Sequence, residues 1–406
     1  MIKHSRLALF SIYFTFFIDS LSWSIIFPIF APYFLDVQNP LLSPDTSLAA
    51  RTTLLGVFLM AFSLGQFLAS PLIGEYADKQ GRKKALIVSI FFTFIGMVTT
   101  AISIKIYSLT FLFLGRLITG IFAGNASICL ACISDLSKTE QMKAKRFGFL
   151  SLLTGFSFVI GAFIGGKLSD PTIYPELSPD VPFWLTSFLT LINLLFIIIN
   201  FQETSPPNIS LSFNFFESFH NIKEVLKTKK IKTIYTIYFL FVFAWTIIFQ
   251  FTPVLVVHKY SFTSSQIGNL ALFMGGLWAL GSGLLNHIFV SYYRSKHILD
   301  VSLLVFTIFC AAIVFVSNLS LTLTCLGLIT LVGALAWPLC TTVISETAAQ
   351  NVQGKALGLT QSIQSLAMAL APLIGGISYQ LAQDSAFLLA AVSSLIASLI
   401  YILKRR

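Results

Sequence analysis

Gly74-Glu75-Tyr76-Ala77-Asp78-Lys79-Gln80-Gly81-Arg82-Lys83-Lys84 occupies a short polar gap between two long apolar segments, Thr52–Ile73 and Ala85–Ile104. Each flanking segment is long enough to cross about 30 Å of hydrocarbon, which takes roughly 20 apolar residues. Two glycines, Asp78 and a basic cluster held between two such spans read as a short structured loop rather than a tether. In that loop Gly74 would let helices approach closely. Asp78 would cap a helix N-terminus or pair with Arg82, a contact able to break when a gate opens.

The rest of the chain has the same character. Of its 406 residues 56% are hydrophobic and 10% charged, and mean hydropathy is +0.85. Soluble domains carry about 25% charged residues, so the composition is that of an all-α polytopic membrane protein. Twelve apolar segments suffice to span: 7–33, 52–74, 85–104, 107–133, 147–168, 182–201, 233–257, 265–290, 298–316, 320–344, 356–380 and 386–403. The first is too long for the apolar core of a signal peptide, carries Asp19 and lacks a small-residue cleavage site, so it reads as a retained helix. An even number of spans puts both termini on one side. The loops on that side hold 21 of the 26 basic residues, which predicts that the termini are cytoplasmic. Topology accounts for the net charge of +10, and no nucleic-acid partner is needed. All five cysteines fall inside apolar spans, where small buried packing residues are expected.

Residues 204–232 form the one long polar stretch on the terminal side. Pro206-Pro207 ends the sixth span, and Phe215, Phe216, Phe219, Ile222, Val225 and Leu226 then recur opposite Lys223, Lys227 and Lys230. That spacing predicts a surface-lying amphipathic helix joining bundles 1–203 and 233–406. The two halves also resemble each other. Cys129-x-x-x-x-Ser134-Asp135 returns as Cys340-x-x-x-x-Ser345-Glu346, while Gly148 and Gly165-Gly166 return as Gly358 and Gly375-Gly376. The offsets, 211 and 210, indicate a duplicated six-helix unit, an arrangement suited to alternating access.

Ionisable groups are costly in hydrocarbon, so those inside spans are functional candidates. Two lie deep: Asp19, about 18 Å along the first span, and Arg116, about 14 Å into the fourth. Burial disfavours a charged carboxyl and a nearby guanidinium favours it. A pair whose separation changes with conformation would therefore switch Asp19 between loaded and unloaded proton states; a fixed structural ion pair is the alternative.

Several of these motifs resemble those of the major facilitator superfamily. The run G-x-x-x-D-x-x-G-R-K-K is similar to its loop between helices 2 and 3. Asp19 through Pro28 and Pro32 resembles the first-helix motif of its twelve-helix drug:proton antiporters, bacterial tetracycline efflux proteins among them. Gly115-Arg116-x-x-x-Gly120 resembles their proton-transfer motif, and Asp135 followed by Lys145-Arg146-Phe147-Gly148 their helix 4–5 connection. Gly161-Ala162-Phe163-Ile164-Gly165-Gly166 resembles the antiporter signature G-P-x-x-G-G, with Ala162 in place of proline, and Glu203 resembles the acid closing helix 6. The resemblance is strongest over residues 7–204. It implies two pseudo-symmetric six-helix bundles, proton coupling through Asp19 and Arg116, and a cytoplasmic gate of Gly74, Asp78, Gly81, Arg82, Asp135, Arg146 and Glu203. Close helix contacts would fall at Gly161, Gly165, Gly166, Pro372, Gly375 and Gly376.

Trp23, Gln66, Asn125, Asn193, Trp245, Gln250, Asn269, Trp278 and Trp337 are candidate contacts for a substrate, since aromatic walls with scattered amides suit amphipathic organic solutes. The expected activity is proton-coupled export of such a compound or drug by a monomer in the bacterial inner membrane, with protons as coupling ion and no metal or other cofactor. Proton-symport uptake of a metabolite and a non-transporting solute receptor are the alternatives. No nucleophile–base pair or metal-ligand cluster stands at working spacing, so an enzyme is not expected.

Overall fold

The computed structural model describes residues 2–123, 125–137, 139–204, 229–347, 353–382 and 384–404. The fold is all-α, and no strand occurs among these residues. Helices are what hydrocarbon permits, because every backbone N–H and C=O is then satisfied within one segment. Among the described residues eleven helical stretches are long and apolar enough to cross a membrane, from Leu7–Leu35 to Ser385–Lys404. A further 26-residue helix, Gln353–Ser378, lies where the sequence puts the eleventh of its twelve spans. The amphipathic linker helix falls outside the described residues.

Among the described residues three spans depart from one continuous α-helix. The first bends at Ile25, between Ile2–Ser24 and Ile26–Leu35. Pro28 has no N–H to offer the Ser24 carbonyl and its ring crowds that group. In the fourth span helix Leu109–Phe122 ends in a turn at Ala123, and a helix runs over Asn125–Leu136. In the eighth, a π-helical turn at Leu280–Leu285 joins Ser264–Ala279 to Asn286–Tyr292.

The opening motif is not a loop. The second span continues as helix through Leu48–Gln80, and the next begins at Arg82. Gly81 alone turns the chain, at φ 92°, ψ 152°. The polar residues belong to the end of one helix and the start of the next: Glu75 pairs with Lys79 at 3.2 Å and Asp78 with Arg82 at 2.6 Å, both at i,i+4 spacing.

The described chain forms two compact units, and each takes in a segment from the other half of the sequence. Phe262–Leu272 packs with the first unit and Asp45–Met60 with the second. A core of the first unit gathers Ile12, Leu86, Ile90, Cys129, Cys132, Ile133, Ile197 and Phe201. All five cysteines are free and buried.

Candidate functional site

Within the first unit the candidate residues fall into three layers. In the middle layer Asp19 is half-buried, and its Oδ1 accepts a hydrogen bond from Asn125 Nδ2 at 3.1 Å. Asn125 is buried, and its own Oδ1 is unpartnered. It opens the second helical piece of the fourth span, Asn125–Leu136. Close by in sequence, Thr15 donates to Asn193 Oδ1 at 3.0 Å.

Arg116 is 2% exposed. Its guanidinium carbon lies 4.7 Å from the Phe62 ring centroid and 5.9 Å from that of Phe30, and Nε and Nη1 have no hydrogen-bond partner. The glycines of its motif explain its placement. A Cβ on Gly115 would stand 2.9 Å from the Thr100 amide nitrogen, and one on Gly120 would overlap the Phe62 carbonyl. The fourth span is thus pressed onto the second and third, with Arg116 between them. Asp19 and Arg116 are not paired: one holds an amide, the other lies on aromatic rings.

The second layer lies at the side bearing the termini. Arg82 joins two acids, Asp78 at 2.6 Å and Asp135 at 3.4 Å, and Thr204 Oγ1 also donates to Asp135 Oδ2 at 3.3 Å. Asp78 does not cap the third span. Glu203 does so from the end of the sixth: its two oxygens accept from the Arg82 and Lys83 amides at 2.8 and 3.0 Å. A carboxylate there meets the orphan donors and the positive end of the helix dipole. Arg146 stands apart, donating to the Leu136 carbonyl at 2.9 Å and Ser137 Oγ at 3.2 Å. Gly74 does not serve packing, since a Cβ there would meet nothing within 4 Å. Its place at the end of a continuous helix leaves its flank open.

The third layer lies at the opposite ends of the spans and consists of glycine crossings. Gly161 and Gly165 press the fifth span onto the bend of the first, where a Cβ on Gly165 would stand 2.8 Å from the Ile25 carbonyl. Gly166 faces the eighth span: its Cβ would meet the Ser264 carbonyl at 2.5 Å and Gly268 Cα at 2.9 Å. A matching crossing occurs inside the second unit. A Cβ on Gly376 would meet the Thr52 carbonyl at 2.9 Å and Gly56 Cα at 3.4 Å, and one on Gly56 would overlap the Pro372 carbonyl. Gly375 meets the Phe251 ring instead. The two crossings correspond residue for residue. Gly166 and Gly376 differ by 210, while Ser264 and Gly268 stand 212 beyond Thr52 and Gly56. Gly56 and Gly268 went unread in the sequence, although their offset lies within two residues of the repeat already found.

The second unit also holds an aromatic cluster. Trp245 and Trp278 have ring centroids 4.6 Å apart, Trp278 and Trp337 6.0 Å, and Tyr238 closes on Trp337 at 6.3 Å. Gly333 makes room for it, since a Cβ there would stand 2.8 Å from the Trp245 ring. Gln250 Oε1 is buried without a partner. In the first unit Trp23 packs on Phe158 at 5.8 Å, Gln66 lies in the same span as Phe62, and Asn269 is exposed on the eighth.

A family model described as Major Facilitator Superfamily matches residues 12–298 and 284–406. The tetracycline resistance protein, class B, of Escherichia coli is 29% identical over 149 residues, 37% of this chain and 35% of that protein. The quinolone resistance protein NorA of Staphylococcus aureus is 28% identical over 192 residues, 47% of this chain and 44% of that protein. The matched stretches thus span less than half the length of these curated relatives. Two solved structures superpose along almost the whole chain. The human organic anion transporter MFSD10 covers 98% of this chain and 99% of its own, with TM-score 0.69 and 20% identity. A D-xylose–proton symporter covers 98% and 96%, with TM-score 0.74 and 16% identity. At such identities the likeness is one of fold.

Proposed function

The chain belongs to the major facilitator superfamily, a family of transporters rather than enzymes, and from that premise we propose that it exports a small amphipathic organic compound in exchange for protons, by alternating access. The observation that carries the reading is Asp19: a half-buried carboxylate midway along a membrane span that accepts, among the described residues, a hydrogen bond from Asn125. A group so placed can gain or lose a proton without dismantling a network around it. Resistance proteins among the relatives support export of a drug-like compound. The cluster of Trp245, Trp278 and Trp337 supports a substrate with an apolar, ring-bearing body.

In this mechanism Asp19 takes a proton from the outside and releases it to the cytoplasm as the two sequence halves rock. Arg116, with two donors unsatisfied, biases Asp19 when the bend at Ile25 moves the first span. The Asp78–Arg82–Asp135 network, with Glu203 at its margin, gates the cytoplasmic mouth. The termini face the cytoplasm, the protein acts as a monomer in the bacterial inner membrane, and protons are the coupling ion.

The test is Asp19→Asn in proteoliposomes under an imposed pH gradient. Proton-driven transport is expected to vanish while facilitated exchange of substrate survives. Full activity across the pH range would remove Asp19 from the coupling role. Movement of protons together with substrate, instead of against it, would make the protein a symporter.

A further inference from the structure

Beyond the motifs of the sequence lies a pair of polar contacts at the face opposite to the termini. Asp170, just past the fifth span, is 2% exposed. Its Oδ1 accepts from the Thr172 amide at 3.0 Å and Thr172 Oγ1 at 2.6 Å, and its Oδ2 accepts from the Ser265 amide at 3.0 Å. Ser265 is in the first turn of the eighth span. That helix already has its own cap, since Thr263 Oγ1 accepts from the Gln266 amide at 3.4 Å and Gln266 Oε1 accepts from the Thr263 amide at 2.9 Å. Asp170 takes up the Ser265 donor that this reciprocal box leaves unmet, and places a negative charge at the positive end of the helix. Lys167 adds a hydrogen bond to Ser265 Oγ at 2.6 Å. Beneath these contacts Gly166 crosses Gly268 with no room for a Cβ.

The repeat supplies the second contact. An offset of 210 carries Asp170 to Gln380, and an offset of 212 carries Ser265 to Thr53. Gln380 Nε2 does donate to Thr53 Oγ1, at 3.3 Å, above the crossing of Gly376 with Gly56. The duplicated fold therefore bears the same latch position twice, once as a buried carboxylate on a helix N-terminus and once as an exposed amide on a hydroxyl.

We propose that Asp170 and Gln380 are the paired latches holding the fifth span to the eighth and the eleventh to the second, and that Asp170 is the dominant one. The inference rests on the alternating-access reading, in which both seams part when the face opposite to the termini opens. A charged acceptor outweighs a neutral contact open to water, because its loss leaves a buried backbone donor unmet.

The test uses Ser169→Cys, a position 1% exposed beside the latch, in a chain whose five native cysteines are all buried. Maleimide labelling of the detergent-purified protein reads the opening of the seam without any substrate. Adding Asp170→Ala is expected to speed labelling about tenfold, the loss of one charged hydrogen bond. Asp170→Asn retains an acceptor and is expected to give a smaller rise, which guards against a folding defect in the alanine variant. Gln380→Ala is expected to give less than about threefold, as for a neutral bond in water. An unchanged rate in both Asp170 variants, or an equal effect of Gln380→Ala, would overturn the proposal. Asp78→Asn in the same background tests alternating access separately: loosening the opposite gate should slow labelling of the introduced thiol. Faster labelling with Asp170→Ala beside no response to Asp78→Asn would keep the latch and remove the rocking mechanism.

Discussion

Gly81→Ala is expected to be among the most damaging one-carbon changes in the chain. At φ 92°, ψ 152°, Gly81 occupies a region that residues with a Cβ essentially avoid, and forcing one there costs about 1–3 kcal/mol. The new methyl would also collide with Glu203 Oε2. That carboxylate sits at the end of a flexible side chain and could swing aside, but only by releasing the Arg82 and Lys83 amides it caps. Both bonds are exposed, so water recovers part of the loss, and a lost cap is worth about 1 kcal/mol. The whole penalty is therefore about 2–4 kcal/mol. Glu203→Ala alone should cost about as much as a lost cap. Because the collision disappears with the carboxylate, Gly81→Ala should cost about 1 kcal/mol less in the Glu203→Ala background, a coupling that a double-mutant cycle resolves. Unfolding in mixed micelles with increasing dodecyl sulfate, followed by tryptophan fluorescence, supplies the four free energies. Additive effects, or a Gly81→Ala penalty under about 0.5 kcal/mol, would show that the turn is not held by Glu203.

Other consequences follow from the remaining layers. Arg116→Met should raise stability by about 1–2 kcal/mol, since an apolar side chain of similar length relieves unsatisfied buried donors at the expense of the Phe62 contact, while coupled transport is lost; a melt showing destabilisation would place an unseen partner on Arg116. Gly56→Ala and Gly166→Ala should each cost about 1–3 kcal/mol by overpacking, and should leave a thiol introduced by Ser169→Cys, or one placed near Gly376, open to maleimide; unaltered labelling in both would mean that the crossings tolerate a methyl. The Asp170 latch should be insensitive to mild acid. Burial pushes the Asp170 carboxyl up, but hydrogen bonds from Thr172, Thr263 and the Ser265 backbone together outweigh it and hold the group below the usual carboxylate range. With the folded value depressed, the stabilisation is complete above the unfolded carboxylate range near pH 4 and fades only as pH falls through the lower folded value. Labelling of the Ser169→Cys variant, normalised to the unfolded chain, that rises between pH 7 and pH 5 would contradict this.

The spans were legible because hydrocarbon imposes a length and a composition that few other structures share. The turn at Gly81 was not, since glycines and charges together are also what a loop is made of. Yet Glu75 with Lys79 and Asp78 with Arg82 stand at i,i+4, a helical signal present in the sequence. The cap by Glu203 could not be read in that way. It joins residues about 120 apart, and nothing local distinguishes Glu203 from an exposed acid at a helix end. Asp19 and Arg116 were found by their cost in lipid, but their partners were not. Asn125 reaches Asp19 across 106 positions of sequence, and Phe62 reaches Arg116 because Gly120 admits the backbone of the second span.

The duplicated crossings separate what the fold requires from what function can vary. At Gly56, Gly166, Gly268 and Gly376 the opposing atoms are backbone, which cannot move aside without shifting a whole helix. Both copies of the repeat have therefore kept glycine at matching positions. One turn away the contacts are made by side chains, which can change without disturbing the crossing, and there the copies differ: Asp170 with Ser265, Gln380 with Thr53. Exchanging them tests whether the seams differ in latch alone. Asp170→Gln with Gln380→Asp should weaken the first seam and leave the second no stronger, because Thr53 Oγ1 already donates to the Gly376 carbonyl at 3.0 Å and offers a new carboxylate no free backbone amide. In the Ser169→Cys background, labelling should rise about as much as with Asp170→Asn. A rate equal to that of the parent would mean that either side chain serves either seam, and that the charge on Asp170 contributes nothing to closure.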